Sequence, residues 1–136
     1  MKVLIIEDEK MLLMALEEEF RRNKCTVISA ADGEQGWQVL SKYPSLDVIV
    51  LALVLPKIDG LELMKSIKAD EKLKTIPVVV LTNLSDENTI AAIVASGGTD
   101  YLVKADYTLK EVIEKILDIA KRPAFQKPGK LQGPIT

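Results

Sequence analysis

Apolar residues along the chain fall into two alternating patterns. Short continuous runs have strand length and β-branched content: Val3-Leu4-Ile5-Ile6, Val27-Ile28, Val48-Ile49-Val50-Leu51, Val78-Val79-Val80-Leu81 and the weaker Tyr101-Leu102-Val103. Runs without in-and-out alternation predict strands covered on both faces, as in a parallel sheet. Between them the spacing becomes helical. Leu12, Leu13, Leu16 and Phe20 predict a first helix whose opposite side carries Glu17, Glu18 and Glu19. Asp32-Gly33 opens a second helix with Trp37 and Leu40, closed before Pro44, and Leu61, Met64 and Ile67 define a third. Ile90, Ile93 and Val94 mark a fourth, with Ser85-Asp86 as its N-cap and Gly97-Gly98 as its stop. Thr108 caps a fifth, striped by Val112, Ile113, Ile116 and Leu117.

The order is (βα) five times over, without internal duplication. Crossovers of this length predict right-handed βαβ units in a doubly wound, three-layer α/β sandwich. Residues 1–121 form that domain. Residues 122–136 differ, with Pro123, Pro128 and Pro134, two glycines and no apolar period, and read as a tail or linker. Phe125, Leu131 and Ile135 leave a docking peptide open there.

Composition narrows the chemistry. A chain of 136 residues, 48% hydrophobic and 28% charged, has the size and balance of one globular domain. Eighteen basic against twenty acidic side chains leave no excess to grip a phosphate backbone, so no direct nucleic-acid binding is expected. The absence of histidine excludes a Ser-His-Asp or Cys-His engine, a histidine metal site and a phosphohistidine carrier. Cys25, alone, reads as a half-buried structural thiol. Glu7 and Asp8 arrive too soon for a signal peptide, and no apolar stretch approaches the roughly 18 residues of a membrane span, so a cytoplasmic location is expected.

In open α/β sheets, sites form beyond the carboxyl ends of the strands. Those ends supply Glu7-Asp8-Glu9, Ala52, Thr82-Asn83 and Lys104. Clustered acids ask for a cation, either the lysine ammonium, a divalent metal, or both. Read alone, Glu9 is a first-turn helix acid, and Glu7 and Asp8 are solvated loop residues.

Over residues 2–121 the sequence resembles the receiver domains of two-component response regulators. Five places carry the resemblance, in order: Glu7-Asp8, Leu55-Pro56-Lys57-Ile58-Asp59-Gly60, Thr82 five residues beyond Pro77, Gly97-Gly98-Thr99-Asp100-Tyr101, and Lys104. The resemblance implies a flavodoxin-like fold with strand order 2-1-3-4-5. It also implies Mg²⁺, with Asp8 as direct ligand, Glu7 acting through metal-bound water and the Val54 position giving a backbone carbonyl. Thr82 resembles the switch hydroxyl, Lys104 the lysine that pairs a phosphoryl oxygen, and Tyr101 the switch aromatic with its in or out rotamer. The implied partners are a sensor histidine kinase or phosphotransfer protein, and a downstream protein met through helix four, strand five and helix five. No membrane partner and no enzyme activity of its own are implied.

The departure is at position 52. The family places its phosphoacceptor aspartate four residues before the loop proline, and counting back from Pro56 lands on Ala52. A methyl group cannot form an acyl phosphate, and its lack of a carboxylate weakens Mg²⁺ binding. Lys104 is then expected to lean toward Asp8 or Glu7, and Asp47 and Asp59 are poor substitutes. Either an acceptor aspartate was replaced to hold an inactive-like state, or the chain is a natural pseudo-receiver that binds partners independently of phosphorylation. Retention of Glu7, Asp8, Thr82 and Lys104 favours the first. Ala105 stands where the family often has proline, so a trans Lys104-Ala105 bond is expected. A Mg²⁺ phosphohydrolase fits poorly, because glutamates stand where it wants aspartates. A flavodoxin fits poorly too, because its phosphate loop would not be acidic.

Overall fold

The computed structural model describes residues 1–43, 45–83, 86–97 and 100–122. Strands and helices alternate through them: β1 (Lys2–Ile6), α1 (Lys10–Arg22), β2 (Thr26–Ala30), α2 (Gly33–Lys42), β3 (Val48–Ala52), α3 (Gly60–Ala69), β4 (Val78–Thr82), α4 (Glu87–Ala95), β5 (Asp100–Val103) and α5 (Leu109–Ala120). Every strand pairing is parallel and the sheet order is β2-β1-β3-β4-β5. This is the flavodoxin-like topology expected above.

The continuous apolar runs are explained by the layers on either side. Leu4, Ile6, Ile49, Leu51, Val78 and Val80 pack with Leu40, Leu63, Met64, Ile67 and Ile93 beneath α2, α3 and α4. The alternate residues Val3, Ile5, Val48, Val50, Val79 and Leu81 pack with Leu16, Phe20, Val112, Ile113 and Ile116 of α1 and α5. Successive side chains leave opposite faces of a strand, so a strand buried on both faces must be apolar throughout. Of the two edge strands β2 differs, with Thr26 exposed, Val27 to Ser29 half-buried and only Ala30 buried, whereas β5 is buried throughout. Cys25, expected to be half-buried, is instead buried in the layer that holds Phe20.

Side-chain caps set the starts of α2, α3, α4 and α5. Asp32 accepts from the Gln35 N–H at 2.8 Å to begin α2, and Asp59 accepts from the Leu61 N–H at 2.8 Å to begin α3. Asp86 caps α4 by accepting from the Thr89 N–H at 3.1 Å; Ser85, the other expected cap residue, lies outside the described residues. Thr108 and Glu111 exchange bonds across the first turn of α5 as a capping box. One apolar position departs from expectation. Val94, placed with Ile90 and Ile93 on one stripe, is exposed on α4, and only Ile93 of that helix is fully buried. A residue adjacent to Ile93 is turned roughly 100° from it, out of the narrow stripe that touches the sheet. α4 ends before Gly97, whose φ of +89° suits glycine; Gly98 lies outside the described residues.

Lys24 closes α1 with a left-handed φ of +63°, while the Cys25 N–H reaches back to the Phe20 carbonyl at 3.1 Å. A Cβ is strained in that conformation. Lys24→Gly is therefore expected to stabilise the protein by about 0.5–1 kcal/mol, after the entropy glycine loses on folding. A higher urea midpoint with an unchanged slope would show it; a lower midpoint would contradict it.

Among the described residues no helix is long and apolar enough to cross a membrane. Of the expected tail, 122–136, residues 123–136 lie outside the described residues, whereas Arg122 is tied to the domain. Its Nη1 stands 3.2 Å from both carboxylate oxygens of Asp100.

Candidate functional site

The register brings four strand ends level. Ile6 lies beside Leu51, Ala52 beside Leu81, and Thr82 beside Val103. Just beyond them opens a cleft of about 400 Å³, lined by Glu7, Asp8, Glu9, Ala52, Leu53, Val54, Leu81, Thr82, Asn83 and Lys104. Six of the seven site positions singled out in the sequence therefore line one cleft. Tyr101 does not line it; it is buried in the core layer that holds Ile93 and Val103, in the inward arrangement. Burial raises its phenol pKa above the ordinary tyrosine value.

Glu7 is the most constrained of the acids. Its backbone N–H donates to the Ala30 carbonyl at 3.0 Å, continuing the β1–β2 pairing one residue past the strand and drawing Glu7 inward to 3% exposure. Reading Glu7 as a solvated loop residue is thereby overturned, whereas Asp8 is indeed exposed; Glu9, read as a first-turn acid, is the exposed residue just before α1, which starts at Lys10. The Lys104 ammonium donates to Glu7 Oε1 at 3.2 Å, and the Glu9 N–H donates to Glu7 Oε2 at 3.1 Å. Of the two acids it was expected to approach, Lys104 thus takes Glu7. It opens a short 3-10 helix, Lys104–Asp106, which the apolar pattern did not signal. The Lys104-Ala105 bond is trans, as expected.

The β3–α3 loop forms the other wall. Val54 is exposed at its lip, while Leu53 and Leu55 on either side are buried. The loop is pinned to α2 and α3. The Gly60 N–H donates to the Leu53 carbonyl at 2.9 Å, and Lys57, at φ +68°, reaches Asp32 Oδ2 at 3.8 Å. A Cβ on Gly33 would collide with the Ile58 carbonyl oxygen, so glycine is what lets α2 start against this loop. The two alternative acids are engaged elsewhere. Asp47 accepts from the Lys2 N–H at 2.7 Å, at the start of β3 rather than its end, and Asp59 caps α3. Neither lines the cleft.

Three acidic residues (Glu7, Asp8 and Glu9), one ammonium and one buried hydroxyl line the cleft around a methyl group. Among the described residues no group of three or more Asp, Glu, His or Cys side chains is placed to hold a metal ion. Mg²⁺ accepts one or two carboxylates while keeping several waters. Glu7 and Asp8 therefore fit a hydrated, weakly held cation.

Comparison with known proteins agrees with this picture. A family model described as response regulator receiver domain matches residues 3–117. The chain is 34% identical over 122 residues to the response regulator ArlR of Staphylococcus aureus, covering 89% of this chain and 53% of ArlR. It thus spans about half the length of the curated relatives it matches. Among solved structures it is similar to the receiver domain of Francisella response regulator 1452, at 31% identity and TM-score 0.75, covering 89% of this chain and 97% of that one. It is also similar to the Mn²⁺-bound form of response regulator Rcp1, at 31% identity and TM-score 0.73, covering 87% and 90%.

Proposed function

The chain belongs to the response regulator receiver domain family, and from that premise we propose that it is a two-component receiver unable to accept a phosphoryl group at the usual position. The observation that carries the reading is Ala52 in the wall of the cleft, at the end of β3, surrounded by Glu7, Asp8, Thr82 and Lys104. An acceptor must offer a nucleophilic oxygen to phosphorus, and a methyl group has none. The neighbours suit the remaining work. Lys104 and Thr82 are donors for phosphoryl oxygens, and Glu7, Asp8 and the Val54 carbonyl are the groups that would hold Mg²⁺. Bound there, the metal would neutralise phosphoryl charge; the missing acceptor carboxylate leaves its site weak. That response regulator Rcp1 has a Mn²⁺-bound form supports a divalent cation as ligand. Tyr101 already sits inward, so the reading rests on position 52 and not on the aromatic.

The kinase or phosphotransfer protein upstream, and a downstream partner on the α4–β5–α5 face, follow from family membership. On this reading the domain is a signalling element and not an enzyme, its domain proper is 1–121, and it works in the cytoplasm.

Intact mass after incubation with acetyl phosphate and Mg²⁺ tests the proposal. In an Ala52→Asp chain an oxygen of the introduced carboxylate would attack phosphorus, the bond to acetate would break and acetate would leave. That chain is expected to gain one phosphoryl mass and the parent none. If neither gains it, a phosphorylation-independent binding module is the better reading; if the parent gains it, the proposal fails.

A further inference from the structure

We infer that the Lys104 ammonium is the resident counter-ion of the cleft and competes with divalent cations for Glu7, so that metal binding must break the Lys104–Glu7 pair. The inference rests on reading the cleft as a cation site and adds what regulates it. Glu7 is nearly inaccessible, and both of its carboxylate oxygens are engaged, Oε1 by Lys104 Nζ at 3.2 Å and Oε2 by the Glu9 N–H at 3.1 Å. A buried carboxylate needs a compensating positive charge, and Lys104, itself only one-fifth exposed, supplies it from the end of β5. A metal ion on Glu7 would bring two cations together in a partly buried space, where their repulsion is weakly screened.

Position 52 decides how strongly the two compete. The β3 wall of the cleft ends in a methyl group, so the ammonium has no carboxylate of that strand to move to. An aspartate there would give it a second anion and release Glu7 at little cost. Metal binding is therefore weakened in two ways. The chain has one ligand too few, and its own lysine occupies one of those that remain.

Mn²⁺ binding, followed by the loss of the free-ion electron paramagnetic resonance signal, separates these effects. Lys104→Met keeps the apolar stem, removes the charge and is expected to tighten Mn²⁺ binding about tenfold. Lys104→Arg keeps a cation in reach and is expected not to tighten it. Lys10→Met removes an exposed charge at the start of α1 without touching Glu7, and is expected to change binding less than about threefold. Introduced into the Ala52→Asp chain, Lys104→Met is expected to gain markedly less than in the parent, a non-additivity that marks a shared partner. Equal gains from Lys104→Met and Lys10→Met, or equal gains in the parent and the Ala52→Asp chain, would overturn the competition. Loss of Mn²⁺ binding by every variant, Ala52→Asp included, would instead overturn the reading of the cleft as a cation site.

Discussion

An Ala52→Asp chain is expected to be less stable than the parent when divalent cations are absent, by about 1–3 kcal/mol at neutral pH, and to recover when Mg²⁺ is added. Ala52 is 5% exposed, and its cleft already holds Glu7 and Asp8. A further carboxylate there is desolvated and repelled, and Lys104 offsets only part of that because it is shared with Glu7. Both effects raise the folded-state pKa of the introduced carboxyl above the ordinary aspartate value. The penalty is then full above that raised pKa, shrinks as pH falls through it, and is gone below about pH 4. Added Mg²⁺ reverses the sign of the environment. A cation at one hundred times its dissociation constant stabilises the folded state by about 2.7 kcal/mol. The parent, without an acid at position 52, is expected to respond far less at the same concentration. Urea unfolding of both chains in chelator and in Mg²⁺ measures this. Equal responses would show that position 52 does not face the cation.

The second large effect lies at the other end of the sheet. Arg122→Met is expected to cost about 2–4 kcal/mol, because it leaves a buried carboxylate without its main partner. Asp100 opens β5 at 1% exposure, and Arg122 Nη1 is 3.2 Å from both of its oxygens. Some compensation remains. Lys68 of α3 feels the charge of Asp100, and its ammonium donates to the Lys74 and Ile76 carbonyls at 3.3 and 3.2 Å. Burial holds the Lys68 pKa below the ordinary lysine value, while the charge of Asp100 works against that shift. Arg122 is also 24% exposed, which keeps the loss short of a fully buried pair's. Asp100→Asn in the Arg122→Met background should return part of the stability, since the orphaned charge is then gone. A cost for Arg122→Met below about 0.5 kcal/mol would class the contact with ordinary surface pairs.

These two regions differ in how far the sequence reveals them. The sheet is legible because β3 and β4 are buried on both faces, which forces unbroken apolar runs that few other arrangements need. The apolar pattern shows β2 only as Val27-Ile28, because an edge strand tolerates Thr26 and Ser29, and only its pairing with β1 reveals their place. The site residues are legible as types at strand ends. The burial of Glu7 is not, since it comes from one backbone bond to Ala30 that no local pattern encodes. Asp100 and Arg122 are 22 residues apart, and only the return of α5 along the sheet joins them. Read locally, Arg122 belongs to the proline-containing tail; in the fold it is the last anchor of α5.

Ile93, the single fully buried residue of α4, bears on how firmly that helix is seated. Each helix is held by the apolar surface it buries, and α3 and α5 each bury four or more residues. α4 is therefore the layer's loosest plank: one nail, half-wet alanines and valine around it, and a cap at one end. Its displacement exposes little that water resents, so the free energy separating one seating from another is small. A modest push on α4 is therefore expected to change its seating before that of α3 or α5.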